Sequence, residues 1–229
     1  PNEQEFIKVV QDTRAQVIFK RSRVPITREL IESCPSLFAI QLCCIGDDSV
    51  DKQACADNGV LVFNDPVSNG RSVVEMVIAH LISLSRRLYE TDPKCREGIW
   101  EKNNIERYEV KGKTLGILGL GNIGRQVARA AEALGMDIRF FDSRYAASEV
   151  GIEFGWEAAN SIEDLMANSD YVTVHFSARN GRGESNENIL SADVLSMLGR
   201  DRPERSPRIF INLGRGFLHR PEDLLEAIS

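Results

Sequence analysis

The stretch TLGILGLGNIG, residues 114–124, decides the fold. Its first five residues are almost all apolar and predict a buried β-strand, while residues 122–134 alternate apolar and polar positions as an amphipathic helix does. Gly119, Gly121 and Gly124 punctuate the passage from strand to helix with the spacing G-x-G-x-x-G. An apolar strand that turns through glycine into a helix is the opening unit of a doubly wound parallel α/β sheet.

The same glycines predict a dinucleotide-binding loop. Gly119 permits a tight turn, Gly121 lets backbone amides approach a pyrophosphate, and Gly124 lets the helix lie close to the strand. The first helical turn, with Asn122 and Ile123, offers a favourable field for negative charge. The alternative is an ordinary strand–helix turn, because a bare G-x-G-x-x-G often occurs by chance. The strand before the motif and the helix after it favour the dinucleotide.

An acidic residue follows at the expected distance. The next predicted strand, residues 137–141, ends at Asp142, where a carboxylate accepts the ribose hydroxyls of adenosine and repels a 2′-phosphate. This favours NAD over NADP as cofactor. Arg144 leaves the choice open, because its guanidinium could meet a 2′-phosphate or lie over the adenine face.

Alternating strand and helix patterns extend to both sides of this unit. Strands are predicted at residues 16–19, 38–42, 60–63, 170–175 and 208–213, with a short capped helix at 27–33. Such alternation requires parallel sheets covered by helices. Residues 72–88 are apolar on most faces and predict a long, heavily buried helix between domains or subunits. Residues 178–188 and 199–207 are polar and predict exposed loops.

Composition excludes several classes of protein. The chain has 229 residues, 42% hydrophobic and 27% charged, which suits one substantial core and part of a second domain. There is no 18-residue apolar run and no signal-peptide pattern, so no membrane contact is expected and the cytoplasm is the expected location. A net charge of −6 argues against nucleic-acid binding. Five cysteines without a C-x-x-C pair predict buried free thiols and no metal site.

Several segments together resemble the D-2-hydroxyacid dehydrogenase family, over nearly the whole chain. They are Cys44-Ile45-Gly46 with Val50-Asp51, VFNDP at 62–66, SNGRSVVE at 68–75, LGILGLGNIG at 115–124 and INLGRG at 211–216. The resemblance implies a Rossmann-type doubly wound sheet over residues 69–229 that binds NAD, and part of a smaller flavodoxin-like α/β substrate-binding domain over 1–68. It also implies a homodimer, or a higher homo-oligomer, formed through the 72–88 helix.

The resemblance gives roles to residues that could meet an anionic substrate. Arg215 ends a strand beside a glycine and would bind the substrate carboxylate and polarise its carbonyl; the alternative is a surface arginine near a helix start. Arg21 and Arg23 alternate at a strand end and would hold phosphate and carboxylate, unless they are only a solvated basic strand end.

Weaker expectations come from the same resemblance. The backbone at Cys44, Ile45 and Gly46 would contact substrate, as would Ser68 and Asn69, for which a turn and helix cap is the alternative. Near the cofactor the resemblance places a further set of three residues, namely His175, Leu213 and Gly214.

No histidine matches the family's catalytic one. His80 is expected to be a packed or interface residue, and His219 a cap or an exposed side chain. The expected catalytic Glu and His belong to family segments beyond Ser229, and the family's first strand is also missing, so the sequence is expected to be a fragment. The loops at 178–188 and 200–207 also depart from the family pattern.

The resemblance leaves three functions open. NAD-dependent oxidation of 3-phospho-D-glycerate to 3-phosphohydroxypyruvate, at the start of serine biosynthesis, is favoured by the segments at 20–23 and 42–46. A second possibility is a reductase for another 2-oxo acid, acting on glyoxylate or hydroxypyruvate or forming D-lactate. The third is a non-catalytic NAD-sensing dimer like a transcriptional corepressor.

Overall fold

The computed structural model describes residues 2–21 and 24–228. The chain divides into two compact units, residues 1–70 and residues 71–229. Among the described residues, no helix is long and apolar enough to cross a membrane.

The first unit is a three-stranded parallel sheet with helices between its strands. Its strands are β1 (Val17–Lys20), β2 (Ala39–Leu42) and β3 (Leu61–Phe63), in the order β1-β2-β3. Its helices are α1 (Glu3–Thr13), α2 (Arg28–Ser33) and α3 (Lys52–Asp57). The side chains of Asn2, Thr27 and Asp51 cap these helices by accepting first-turn backbone N–H groups. Ile18, Leu30 and Ile40 belong to its apolar core.

The second unit is a five-stranded parallel sheet in the order β6-β5-β4-β7-β8. Its strands are β4 (Thr114–Leu118), β5 (Asp137–Phe141), β6 (Glu157–Ala158), β7 (Tyr171–Val174) and β8 (Ile209–Asn212). Its helices are α4 (Gly70–Ser85), α5 (Leu88–Arg96), α6 (Asn122–Ala133), α7 (Tyr145–Glu153), α8 (Ile162–Ala167), α9 (Ala192–Ser196) and α10 (Pro221–Ala227). The strand order reverses between β4 and β7, because β5 and β6 lie on one side of β4 while β7 and β8 lie on the other. Such a switch point opens a crevice at the carboxyl ends of the strands.

Both faces of this sheet are buried. Leu115 and Ile117 of β4 pack with α4 and α6, while Val172 and Val174 of β7 pack with α8 and α9 on the other face. Parallel sheets need this double cover, because their crossover helices lie on the faces. The predicted Rossmann-type α/β class is confirmed.

Helix α4 differs from its prediction. It ends at Ser85 rather than at residue 88, because Arg87 adopts a left-handed conformation (φ 53°) before α5 begins. Only one stripe is buried, formed by Val74, Val77 and Leu81 at helical spacing, while Met76 is 50% exposed. Within one copy of the chain the buried stripe is therefore narrow, and the predicted packing of this helix between domains or subunits stays a prediction.

The five cysteines are all free, as predicted, but only two of them are buried. Burial raises the pKa of the Cys34 and Cys55 thiols. Cys43 and Cys95 are exposed and Cys44 is half-buried, so the expectation that all are buried is wrong. Composition alone does not show which face of an element a cysteine occupies.

Candidate functional site

The glycine loop after β4 is shaped by close backbone contacts. Gly119 has φ +97°, and a Cβ there would lie 2.9 Å from the carbonyl carbon of His175. A Cβ on Gly124 would lie 2.1 Å from the carbonyl oxygen of Gly119. At Gly121 no backbone atom is crowded against an added Cβ, and the nearest atom is Nη2 of the Arg144 side chain, at a contact distance of 3.6 Å. Gly119 and Gly124 therefore allow close backbone packing, while Gly121 meets only a side chain.

The start of α6 suits an anion. Gly121 is the N-cap, and no side chain of the described residues caps the helix there. The partly buried Ile123 packs against the core and holds the first turn on the sheet. An uncapped helix N-terminus beside a glycine that no backbone atom crowds fits a pyrophosphate, so the residues present fit a dinucleotide.

Asp142 lies at the end of β5, where the sequence predicts the ribose acceptor. Its carboxylate accepts hydrogen bonds from the Leu120 amide (2.8 Å), the Arg144 amide (2.9 Å) and the Arg144 guanidinium (3.0 and 2.8 Å). Burial opposes ionisation, but the hydrogen bonds from Arg144 and Leu120 outweigh it and hold the pKa of Asp142 below its usual value. The carboxylate is therefore charged at neutral pH.

His175 follows β7, next to the glycine turn. Its backbone N–H donates to the Leu118 carbonyl (2.7 Å), and its Nε2 lies 3.1 Å from Oγ1 of the buried Thr173. Burial lowers the pKa of His175 to about 4, so the imidazole is neutral at pH 7. A neutral imidazole at this edge has one N–H donor and one acceptor nitrogen, but it carries no positive charge.

The turn after β8 presents Arg215. The Asn212 side chain stabilises this turn, because its Nδ2 donates to the Arg215 carbonyl (3.0 Å) and its Oδ1 accepts the Gly214 amide (3.0 Å). Gly214 lies close to β7, since an added Cβ would be 3.1 Å from the Val174 carbonyl oxygen. Asn212 is not among the residues predicted for the site, although an Asn two residues before a glycine is a known turn signal.

In the first unit, β1 ends in a run of cations. Lys20 is only 7% exposed and donates from Nζ to Oγ of Ser49 (2.5 Å), and burial lowers its pKa. Arg21 is exposed, and Arg23 lies outside the described residues. Lys20 is not among the residues predicted for the site, although it lies on the buried side of the strand.

The other predicted substrate contacts lie in two turns of the same unit. The Cys44 thiol contacts the Gly46 carbonyl oxygen (3.3 Å), and the Ile45 carbonyl accepts from Nδ2 of Asn64 (2.9 Å). The Asp65 carboxylate accepts the amides of Val67 and Ser68, and hydrogen bonds with Ser68 come first among the causes that lower the pKa of Asp65. This geometry favours the turn-cap alternative for Ser68, while Asn69 is exposed beside it.

In the structure, the remaining predicted residues are partly exposed or make local hydrogen bonds. Nδ1 of His80 lies 2.6 Å from the Tyr89 hydroxyl, and Nδ1 of His219 lies 3.3 Å from the Arg220 carbonyl oxygen. Leu213 is 36% exposed. Within the described residues, no group of three or more His, Cys, Asp or Glu side chains could hold a metal ion.

Comparison with protein families adds an independent finding. The model described as "D-isomer specific 2-hydroxyacid dehydrogenase, NAD binding domain" matches residues 78–229. That match covers about two thirds of the chain, including the glycine loop, Asp142 and Arg215.

Named relatives extend the match to the first unit. D-3-phosphoglycerate dehydrogenase of Haemophilus influenzae is 34% identical over 210 residues, 91% of this chain and 48% of the relative. The enzyme of the same name from Escherichia coli K12 is 35% identical over 220 residues, 94% of this chain and 49% of the relative. The chain thus spans about half the length of these relatives.

A solved structure agrees with the fold. An acyclic imino acid reductase in complex with NADPH and D-arginine is 28% identical, with a TM-score of 0.80 over 98% of this chain and 67% of that one. Its cofactor is the phosphorylated dinucleotide.

Proposed function

The chain belongs to the D-isomer specific 2-hydroxyacid dehydrogenase family, and from this premise we propose that the parent enzyme oxidises 3-phospho-D-glycerate with NAD. The observation that carries the proposal is the glycine cradle between β4 and α6, with the charged Asp142 at the end of β5. The substrate rests on the 34% and 35% identity to relatives named D-3-phosphoglycerate dehydrogenase. The product would be 3-phosphohydroxypyruvate, which enters serine biosynthesis.

The two units would divide the work. We assign dinucleotide binding to residues 69–229 and substrate binding to residues 1–68. The bound nicotinamide supplies hydride transfer, and the protein supplies binding and alignment. The cradle of Gly119, Gly121 and Gly124 would receive the pyrophosphate, with Asn122, Ile123, Leu213 and Gly214 around it.

Arg215 would orient the substrate. Asn212 holds the backbone of its turn, so the guanidinium starts from a fixed point at the carboxyl edge of the sheet. An always-charged planar donor can grip a carboxylate with two parallel hydrogen bonds and draw electron density from the adjacent carbonyl. The second anionic group of the substrate would be held by Arg21 and Arg23.

Two coarser properties complete the proposal. Helix α4 carries the partly exposed apolar side chains Met76, Ile82 and Leu84, at 36–50% exposure, and a second copy of the chain would cover such side chains in a homodimer. Five free thiols suit a reducing compartment such as the cytoplasm.

The substrate is tested by NADH-linked reduction of 3-phosphohydroxypyruvate by the full-length parent enzyme, beside hydroxypyruvate, 2-oxoglutarate and pyruvate. A clear preference for the phosphorylated acid is expected. Turnover of another oxo acid alone would move the substrate within the family. NADH binding without turnover of any of them would favour the sensor function.

The role of Arg215 is tested by Arg215→Lys, which keeps the positive charge but cannot donate two parallel hydrogen bonds to a carboxylate. We expect kcat/KM to fall about 100-fold while NADH affinity stays unchanged. Arg200→Lys is the matched control, because Arg200 forms an exposed pair with Asp201. Equal losses in both variants would contradict the assignment.

A further inference from the structure

Donors from its own chain fully occupy the carboxylate of Asp142. Oδ1 accepts from the backbone N–H (2.9 Å) and Nε (3.0 Å) of Arg144, and Oδ2 accepts from the Leu120 amide (2.8 Å) and Nη2 of Arg144 (2.8 Å). A carboxylate has about four acceptor positions, and all four are taken. Ribose hydroxyls can therefore reach Asp142 only if one of these donors leaves.

The guanidinium is the donor that can leave. The other two donors are backbone amides, and the Asp142 side chain they hold is 5% exposed, whereas the Arg144 side chain is 53% exposed. Removing an exposed side chain from one end of an ion pair requires little energy compared with moving the strand end. The same guanidinium also lies over the cradle, 3.6 Å from the Cβ position of Gly121.

A hairpin loop of residues 178–186 positions the stem of Arg144. The loop is closed by backbone hydrogen bonds from Asn186 to Ala178 and from Asn180 to Glu184, both 2.9 Å. At its tip the Gly181 amide donates to Oγ of Ser143 (3.1 Å), and a Cβ on Gly181 would lie 2.8 Å from Cγ of Arg144. The stem is thus confined while the guanidinium beyond it can swing.

We propose that Arg144 is a latch that determines cofactor choice, an inference that rests on the proposed use of NAD. Closed on Asp142, it occupies the two acceptor positions that the ribose hydroxyls of NAD take. Released, its cation stands beside the ribose and can pair with a 2′-phosphate that Asp142 would otherwise repel. The latch therefore weakens NADH binding and favours NADPH binding, so the two cofactors respond to its loss in opposite directions.

Arg144→Met tests the latch, because methionine keeps an unbranched stem without the cation. In fluorescence titrations of the full chain, we expect the Kd for NADH to fall about fivefold and the Kd for NADPH to rise about tenfold. A fall in affinity for NADH, or changes of the same sign for both cofactors, would overturn the latch. Binding of neither cofactor by the wild-type chain and the variant would also overturn it.

Two further variants separate the causes. Arg200→Met removes an arginine from another bidentate Asp pair (3.1 and 3.2 Å), and both Kd values should stay unchanged. Gly181→Ala keeps the cation but crowds its stem, so NADH should bind more tightly without a loss of NADPH affinity. An unchanged NADH affinity in Gly181→Ala would remove the hairpin from the proposal. These experiments measure cofactor binding. A failure to turn over 3-phosphohydroxypyruvate would therefore contradict the proposed substrate without affecting the proposed role of Arg144.

Discussion

Gly124 determines how closely α6 approaches β4, and its replacement is a test at the scale of one residue. In Gly124→Ala the new Cβ would lie 2.1 Å from the Gly119 carbonyl oxygen, so α6 must move away from the sheet. We expect the free energy of unfolding to fall by about 2–4 kcal/mol and NADH affinity to fall at least about tenfold. Urea denaturation and NADH titration measure the two effects.

The matched control for that substitution is Gly216→Ala. Nothing lies within 4 Å of an added Cβ at Gly216, so its free energy of unfolding should change by less than about 0.5 kcal/mol. Equal effects of the two substitutions would show that backbone entropy, and not the contact with Gly119, governs the position.

The titration of His175 makes stability depend on pH. Burial lowers its pKa from 6.5 to about 4. Between these pH values the imidazole is therefore protonated in the unfolded chain and neutral in the folded chain. The stabilising contribution is complete above pH 6.5 and is lost as the pH falls toward 4, by up to about 3 kcal/mol. Urea denaturation of wild type and His175→Asn between pH 7 and pH 4 should give a difference with this slope; a flat difference would contradict it.

At the scale of elements, one buried ion pair fastens the 199–207 loop to the sheet. The Asp170 carboxylate, fully buried before β7, accepts the Thr114 amide (2.8 Å) and two hydrogen bonds from Arg202 (3.1 and 2.9 Å). We expect Asp170→Asn to lower the free energy of unfolding by about 3 kcal/mol, because Arg202 loses its partner. Asp201→Asn, in an exposed pair, should cost less than about 1 kcal/mol in the same urea titration. Similar losses of stability in the two variants would contradict the anchoring of the 199–207 loop by Asp170.

Elements with strong apolar patterns were predictable, and weakly patterned ones were not. The bounds of β4 and β5 match the prediction: β4 is buried at every position, while β5 alternates, with Ile138 and Phe140 buried. Strand β6 has two exposed residues, and α5 is polar with Pro93 inside it, so neither shows a period. The start of helix α1 carries a sequence signal, since Asn2 and Glu5 form a capping box. The helix was not predicted because most of its residues are polar.

At the scale of the whole molecule, the two units have separate cores. All core residues of the first unit lie before residue 71, and both cores of the second unit lie after it. We therefore expect residues 71–229, expressed alone, to fold and to bind NADH within about threefold of the full chain. Circular dichroism and NADH titration check this; an unfolded fragment would mean that residues 1–70 contribute to its stability.

The sequence alone determined the fold class, the glycine cradle, the position of Asp142 and, through the family model, the NAD-binding domain. These follow from apolar periods and glycine spacing, which act over a few residues of the chain. Tertiary structure alone decided what surrounds Asp142 and Asp170. Gly181 meets Ser143 across 38 residues and Arg202 meets Asp170 across 32. Such pairs depend on which loops the sheet order brings to one edge, and no local pattern encodes that choice.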